Sequence, residues 1–155
     1  MMADEIYQET LIARAKSGRE RNRLPEPDAT VTLDNPLCGD RVTIDVSVDE
    51  GVVTAVGHEV RGCMLCEATA AMIAAYAVGG NVDSIHAHAD AVRKMIKEGT
   101  PAPGSWPDTA ALGPVHGTKS RHNCVLLPFD ALTDAIAQAT RTPASPPSTE
   151  NASPF

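Results

Sequence analysis

The sequence predicts an α+β fold in which a three-stranded antiparallel sheet has helices packed against it. The first observation is an alternating apolar run, Arg41 to Val48, which is followed after a short turn by a second β-rich run. The second observation is an alanine-rich segment that comes next along the chain and ends at a pair of glycines. The two β-rich runs predict a hairpin, and the alanine-rich segment predicts a helix after it.

A first helix and an irregular connector are expected before the sheet. Residues Asp4 to Ser17 mix apolar and charged residues, with acids early and bases late, which suits the dipole of an amphipathic helix. Gly18 is expected to end this helix. The following stretch, Arg19 to Pro27, contains three arginines and two prolines, so it predicts a solvated basic linker without regular structure.

The predicted strands follow in order. Ala29 to Leu33 is a short β-leaning run that leads into the turn sequence Asn-Pro-Leu-Cys-Gly-Asp at positions 35–40. Arg41 to Val48 places its valines and its isoleucine on one face, as in a half-buried strand. After a turn at residues 49–51, Val52 to Arg61 completes an antiparallel hairpin.

The remaining helices are expected after Gly62. The alanine-rich helix runs from Cys63 to about Val78, and a second helix follows a cap at Asn81 or Asp83. Residues 100–121 hold four prolines and three glycines, so they are expected to be mostly loop with room for one short helical turn. The last helix is expected from Cys124 to about Ala139, with Pro128 near its start.

Residues 1–140 are therefore expected to form one domain, and the Pro- and Ser-rich residues 141–155 a disordered tail. The net charge of −7 disfavours a nucleic-acid partner, because phosphate binding needs clustered basic residues. No long apolar run and no secretory pattern is visible, so no membrane association and a cytoplasmic location are expected. In that reducing compartment, cysteines more often serve as metal ligands or reactive thiols than as structural disulfides.

The turn at positions 35–40 predicts one corner of a metal site. Cys38 and Asp40 put a soft thiolate and a hard carboxylate two positions apart, and Cys63, with or without Cys66, and Cys124 are the candidates to complete it. Such a donor set suits tetrahedral zinc or a binuclear iron-sulfur cluster. A carboxylate ligand would make the site more labile than four thiolates. The alternative is a strand connection that happens to contain a buried cysteine.

Three of the cysteines are expected near helix N-termini. There the free backbone N–H groups and the helix dipole are expected to lower the pKa of Cys63, Cys66 and Cys124. The pair Cys63 and Cys66 has the spacing of a redox dithiol, but that pair normally follows a strand of a βαβ unit rather than an antiparallel hairpin. The spacing of His86 and His88 does not fit a helical metal pair, which would be four residues apart.

With these motifs in place, the chain resembles the NifU N-terminal-like family of iron-sulfur cluster assembly proteins, the IscU and SufU group. The resemblance covers Asp4 to Ala139. Its most specific markers are the turn at positions 35–40, Gly62-Cys63 followed by the small-residue helix, and Cys124 at the last helix. It implies that the metal or cluster ligands are Cys38, Asp40, Cys63 and Cys124, in a small α+β fold.

Two types exist within the family that the chain resembles. The scaffold type builds a [2Fe-2S] cluster and carries His immediately before the last ligand cysteine. The sulfur-relay type holds Zn²⁺, accepts persulfide sulfur from a PLP-dependent cysteine desulfurase, and has a longer path to that cysteine with Arg three residues before it. Here Arg121 lies three residues before Cys124, Asn123 stands where the scaffold type has His, and residues 100–120 form a long insertion. The chain resembles the sulfur-relay type, with the [2Fe-2S] scaffold as the alternative.

The resemblance also implies roles and partners. Cys38 matches the sulfur acceptor, and Arg121 would steady the negative persulfide unless it is an ordinary surface arginine. The protein would then be at most a sulfurtransferase acting with the desulfurase, and apo iron-sulfur proteins would be further partners. A purely structural zinc module is the third hypothesis. The stretch after the first helix lacks the family's His, Tyr and Pro, and Cys66 is extra to the common pattern.

Overall fold

The structure is a computed structural model that describes the backbone of residues 2–36 and 39–141 and the side chains of residues 9–36 and 39–140. The predicted tail, residues 141–155, lies outside this range except for residue 141, which is the last residue of the final helix. Two 3-10 segments, Pro107–Gly117 and Lys119–Arg121, precede the last helix. The other elements are α1 (Met2–Arg19), β1 (Ala29–Asn35), β2 (Asp40–Asp49), β3 (Val52–Arg61), α2 (Met64–Tyr76), α3 (Val82–Glu98) and α4 (His122–Arg141).

The sheet confirms the predicted α+β class. β2 is the middle strand and pairs antiparallel with both β1 and β3. The alternate residues Val42, Ile44 and Val46 of β2 are all 0% exposed. Helix α4 packs on β1 and β2, and α2 packs on β3, so the core lies between the sheet and these helices. Burying each such side chain contributes roughly 1.5–3 kcal/mol, which makes this face the main source of stability.

Helices α1 and α2 are in close backbone contact where they cross. Gly18 was expected to end α1, but α1 continues to Arg19, and a Cβ atom at Gly18 would lie 1.8 Å from the carbonyl oxygen of Glu67. No side chain fits there, so this glycine is needed for helix contact rather than for termination. The Arg19 guanidinium also links the two helices at this crossing, because it donates a hydrogen bond to the Glu67 carboxylate at 3.3 Å.

The connector between α1 and β1 is fastened to the outer face of the sheet. The Asp45 carboxylate is fully buried and accepts hydrogen bonds from Arg23 Nε at 2.8 Å, Leu24 N–H at 2.9 Å and Thr30 Oγ1 at 2.6 Å. A Cβ atom at Gly57 would lie 2.7 Å from Leu24 N, so the connector crosses the sheet where a strand residue has no side chain. Several donors lower the pKa of Asp45 against the effect of its burial.

The basic run of the connector is neutralised within the chain. Besides Arg23 with Asp45, Arg19 pairs with Glu67 and Arg21 pairs with Glu59 at 3.1 Å. The side chains of Arg19 and Arg21 are largely exposed, as expected for a solvated linker. However, each cation already has a carboxylate partner, so the three arginines do not form an unpaired basic patch.

Residues 100–121, here called the arm, differ from the expected loop. Their centre is an eleven-residue 3-10 segment, Pro107–Gly117, whose inward side chains Thr109 and Leu112 are buried. The ring of Trp106 stacks on His88 of α3 with a centroid distance of 4.0 Å and lies 5.7 Å from Phe129 of α4. Proline and glycine disfavour an α-helix here, but they do not prevent a packed segment with a tighter turn.

A polar contact ties the arm to the first two helices. Asp108 accepts hydrogen bonds from Arg14 Nε at 2.5 Å and from the Tyr76 hydroxyl at 3.1 Å. The Arg14 guanidinium also donates to that hydroxyl at 2.8 Å and lies 5.1 Å from the centre of the Tyr76 ring. The arm is therefore fixed to α1, α2, α3 and α4 at once.

Helix α4 begins at His122, two residues before the expected start. Pro128 is thus the seventh helical residue rather than part of the first turn, and it removes the N–H that would otherwise bind the carbonyl group of Cys124. None of the helices in the described part of the chain, α4 included, is long and apolar enough to cross a membrane.

Candidate metal centre

Asp40 enters the site at the very start of β2. It pairs in register with Asn35 at the end of β1, and Gly39 just before it has a φ of 74°, a conformation that suits glycine. The N–H of Gly39 donates to the carbonyl oxygen of Asn35 at 2.8 Å, which closes the turn. The carboxylate that results is 2% exposed. The strand start therefore holds Asp40 inside the protein rather than at a solvated edge.

Cys63 lies opposite Asp40, at the N-cap of α2. Its backbone N–H donates to Asp40 Oδ1 at 3.1 Å, while its side chain makes no capping hydrogen bond. A Cβ atom at Gly62 would lie 2.5 Å from the same oxygen, so Gly62 provides the space that the carboxylate occupies. The thiol of Cys63 is thus not used to cap the helix, and its backbone orients a neighbouring donor.

Cys124 comes from α4 and completes the described group. It is 0% exposed, and its Sγ–H donates to Asp40 Oδ2 at 3.4 Å. One carboxylate oxygen and the sulfurs of Cys63 and Cys124 all lie within 4.8 Å of one another. Three elements that are distant in sequence therefore bring two soft donors and one hard donor to a single point.

Burial, not the helix dipole, sets the acidity of two of the thiols. The pKa of Cys124 is raised by burial first, and then by the adjacent Cys63 and Asp40. The pKa of Cys66 is raised by burial and by the same cluster of acidic groups. The expectation that helix N-termini lower these two pKa values was wrong, because a thiolate loses more from leaving water than it gains from the dipole.

Arg121 lies at the solvent side of the group. It ends the short 3-10 segment before α4, and its side chain is exposed. The pKa of Arg121 is raised by a hydrogen bond to Cys124 and by the charges of Cys63 and Cys124. The guanidinium therefore faces the two sulfurs, as a group that holds an anionic sulfur would have to do.

The other predicted candidates fall outside this group. Cys38 lies outside the described residues, two positions before Asp40 in sequence. Cys66 is free and buried in the first turn of α2. His88 has other partners, Ser105 Oγ at 2.6 Å and Thr109 Oγ1 at 3.3 Å, so it contributes to packing of the arm.

Two features of the site were not predicted from the sequence. The space for the Asp40 carboxylate depends on Gly62, which was noted only as a marker of the resemblance before Cys63, and on the N–H of Cys63. The sequence signal was a glycine directly before a candidate ligand. His122, two residues before Cys124, is also buried, and its Nε2 lies 3.0 Å from the carbonyl oxygen of His116, which fixes the start of α4.

The donor set fits a metal that accepts both sulfur and oxygen ligands. Two thiols and one carboxylate, all acidic and mostly buried, repel one another when ionised unless a cation lies among them. Zinc accepts sulfur and carboxylate ligands in tetrahedral sites, and iron-sulfur clusters are held by cysteine thiolates. The chemistry of these residues therefore suits a thiophilic metal with one displaceable oxygen ligand.

Comparison with known proteins identifies the family of this chain. The family model described as the NifU-like N terminal domain matches residues 6–142. A protein of Thermotoga maritima named iron-sulfur cluster assembly scaffold protein IscU is 26% identical over 91% of this chain and 99% of its own length. The zinc-dependent sulfurtransferase SufU of Bacillus subtilis is 25% identical over 87% of this chain and 92% of its own length.

A solved structure supports the same assignment. The N-terminal part of a nitrogen-fixing NifU-like protein from Brucella abortus superposes with a TM-score of 0.83 and is 38% identical, covering 92% of this chain and all of that one. Because the family model, the relatives and the fold agree over nearly the whole described chain, this protein belongs to the NifU-like N-terminal domain family, which it shares with relatives named IscU and SufU.

Proposed function

We propose that this protein acts in iron-sulfur cluster assembly as a zinc-holding sulfur acceptor that receives persulfide sulfur from a PLP-dependent cysteine desulfurase. The observation that carries the proposal is the group of buried Asp40 and Cys124 with half-buried Cys63, whose two sulfurs Arg121 faces. The fourth zinc ligand would be Cys38. The names of the Thermotoga and Bacillus relatives support a role in cluster assembly.

The ligand roles follow from the contacts. Cys63 and Cys124 would be the lasting thiolate ligands, because both belong to helices that are packed into the core. Asp40 is held by the Cys63 N–H and the Cys124 S–H, so its carboxylate is oriented before any metal arrives. Bound zinc would keep the coordinating thiols deprotonated at neutral pH.

Sulfur transfer then needs a thiolate and a place for negative charge. The Cys38 thiolate attacks the terminal sulfur of the desulfurase persulfide and forms a new S–S bond. The old S–S bond breaks, and its electron pair remains on the desulfurase cysteine as thiolate, so no net oxidation occurs. In this proposal the Arg121 guanidinium, which faces Cys63 and Cys124, is the group that stabilises the negative charge of the persulfide on Cys38.

Zinc analysis and a desulfurase assay test the proposal together. Purified protein should contain about one zinc per chain and should increase the turnover of a cysteine desulfurase while acquiring a persulfide. Cys38→Ser should abolish persulfide formation, and Arg121→Ala should slow it. Lys119→Ala is the matched control, since this exposed cation lies in the same 3-10 segment two residues away. Zinc-loaded protein that never acquires a persulfide would refute the role.

A [2Fe-2S] scaffold is the second candidate, favoured by the mixed cysteine and carboxylate donor set and by the relatives named as scaffolds. It predicts a coloured species on anaerobic reconstitution with iron and sulfide. Asp40→Ala should prolong the lifetime of that species, because the most easily displaced ligand is removed. Failure to develop colour with excess iron and sulfide would exclude the scaffold role.

A further inference from the structure

A cavity of about 450 Å³ lies between the C-terminal part of α1, the connector, β3 and α2. None of the residues of the candidate metal centre is among the described residues that line it. A concave space of this size, with a few polar groups in its lining, suits a small molecule. The cavity is therefore a second candidate for ligand binding, and it does not share side chains with the first.

His58 of β3 is a buried polar residue in this lining, and it is 3% exposed. It pairs in register with Ile44, whose side chain is in the core, so the His58 ring projects from the same face of the sheet toward α1 and α2. Its Nδ1 atom is buried and has no hydrogen-bond partner among the described residues. Buried polar atoms are normally hydrogen-bonded, so this nitrogen is a candidate contact for a ligand.

The His58 ring is neutral near pH 7, because burial lowers its pKa below the ordinary value of 6.5. A nitrogen of a neutral imidazole either donates or accepts a hydrogen bond, depending on the tautomer. A hydroxyl group can do both, so it can pair with Nδ1 in either tautomer. The buried end of the cavity therefore suits a hydroxyl group better than a charged one.

Two opposite charges line the exposed part of the cavity, Lys16 near the end of α1 and Glu20 directly after it. Neither has an ion-pair partner among the side chains that the structure describes. Lys four residues before Glu is the less favourable order for a helical ion pair, and Glu20 lies beyond the helix. The two arginines of the lining, Arg14 and Arg21, are each paired with a carboxylate. The charges that remain for a ligand are thus one cation and one anion.

Helix α2 gives the cavity a wall of small apolar side chains. Its lining residues are Ala71, Ala74 and Ala75, and Ala71 is 4% exposed. A methyl group extends little from the helix, so this wall can accommodate the carbon atoms of a short ligand. The lining therefore combines a short apolar wall, a buried neutral nitrogen and two opposite charges.

We propose that this cavity binds a small α-amino acid with a hydroxyl group on its side chain. Lys16 binds the carboxylate, Glu20 binds the ammonium group, and the hydroxyl group pairs with His58 Nδ1. A zwitterion satisfies both charges, whereas Glu20 repels a simple anion and Lys16 repels a simple cation. The inference does not rest on the proposed function, because it uses no residue of the candidate metal centre.

An NMR titration of the full chain with L-serine tests this inference. The reporters are the ring signals of His58 and the amide signals of Ala71 and Ala74, which should shift and saturate together. L-alanine lacks the hydroxyl group and should bind at least about tenfold more weakly. 3-Hydroxypropanoate lacks the ammonium group and ethanolamine lacks the carboxylate, so neither should saturate the reporters at concentrations where L-serine does. Absence of saturable shifts with L-serine up to its solubility limit would overturn the inference, and so would equal shifts with all the probes.

Charge-neutral variants test each end of the ligand. Lys16→Met and Glu20→Gln should each weaken L-serine binding about tenfold. Glu20→Gln should also bind 3-hydroxypropanoate more tightly than the unsubstituted chain does, because the repulsion of the anion is gone. Lys94→Met is the matched control, since Lys94 is an exposed lysine of α3 outside the lining, and it should bind L-serine normally. Undiminished L-serine binding in Lys16→Met or in Glu20→Gln would refute the assigned contacts.

His58→Leu tests the buried end of the cavity. Replacing an unpaired buried nitrogen by an apolar side chain should raise the midpoint of thermal unfolding. The same variant should lose the preference for L-serine over L-alanine, which a purely structural role of His58 would not affect. A preference that persists in folded His58→Leu would contradict the contact with the hydroxyl group. If His58→Leu does not fold, the comparison of L-serine with L-alanine on the unsubstituted chain decides the same point.

Discussion

Two buried polar clusters in this molecule differ in how completely they are satisfied. In the arm cluster, both ring nitrogens of His88 have hydroxyl partners, Ser105 and Thr109, and the ring stacks on Trp106. In the donor cluster, Asp40 accepts one hydrogen bond from the Cys124 S–H and one from the Cys63 N–H, and the cation that faces the two sulfurs, Arg121, is exposed rather than buried among them. Both ring nitrogens in the arm cluster therefore have hydrogen-bond partners, whereas the donor cluster has more hydrogen-bond acceptors than donors.

This difference separates a structural cluster from a candidate ligand site. A neutral histidine with two hydrogen bonds gains nothing from a ligand, whereas three neighbouring acidic groups are stabilised by a cation. The arm cluster should therefore control the stability of the fold, and the donor cluster should control metal binding. The four changes below test that division, beginning with the largest expected effect.

Trp106→Ala should lower the free energy of unfolding by about 3–5 kcal/mol, because it removes the ring that joins α3, α4 and the arm. Urea unfolding measures the loss. Zinc content per folded chain should be unchanged, and Trp106→Phe should restore part of the stability. Loss of zinc from folded Trp106→Ala would show that the two clusters are not separable.

Acid should destabilise the arm through His88. Burial lowers the pKa of His88 to about 4, below the ordinary value of 6.5, so the neutral ring favours the folded state. The stabilisation is complete above pH 6.5 and is lost as the pH falls from there through 4, by roughly 3 kcal/mol in all. Unfolding of chelator-treated protein across this range measures it.

His88→Phe keeps a ring against Trp106 but cannot titrate, so the pH dependence of its stability should be correspondingly flatter. Burial also lowers the pKa of His58, and part of the slope should therefore persist in this variant. An identical slope in both proteins would mean that His88 is not the titrating group.

Gly62→Ala should weaken zinc binding about tenfold, close to 1.4 kcal/mol, because its methyl group would displace the Asp40 carboxylate. Competition with a chromophoric chelator measures the affinity. Gly104→Ala is the matched control, since a Cβ atom there meets nothing within 4 Å. Unchanged affinity in Gly62→Ala would show that Asp40 is not a ligand.

Asp108→Asn should have the smallest effect, about 1 kcal/mol in the free energy of unfolding, because it weakens one partly buried ion pair with Arg14. Thermal unfolding measures it. Asp34→Asn, which breaks the largely exposed pair with Arg41, should change stability less. The reverse order would mean that Asp108 does not fasten the arm.

Local patterns predicted the middle strand β2 well because its apolar residues alternate with polar ones. Val42, Ile44 and Val46 could face only one way, and the structure buries all three. The resemblance identified Asp40, Cys63 and Cys124 as one group, which spacing alone left open, and the structure brings them together.

Contacts between distant parts of the chain determine three features that local sequence patterns did not predict. The segment Pro107–Gly117 has the composition of a loop, and only Trp106 and its aromatic neighbours make it a packed element. Gly18 resembled a helix terminator, yet its neighbour in space is Glu67, forty-nine residues away. The acidity of Cys124 likewise depended on burial that no local pattern reveals.

The wide sequence spacing of the donors has a consequence for how the protein is made. Asp40 and Cys124 are 84 residues apart, so the site depends on a contact between residues that are far apart in sequence. During synthesis from the N-terminus, a nascent chain that has just completed the sheet and α2 carries Asp40 and Cys63 but lacks the third donor. Stable metal loading should therefore wait until α4 has left the ribosome and folded, which makes an occupied site a mark of a finished molecule.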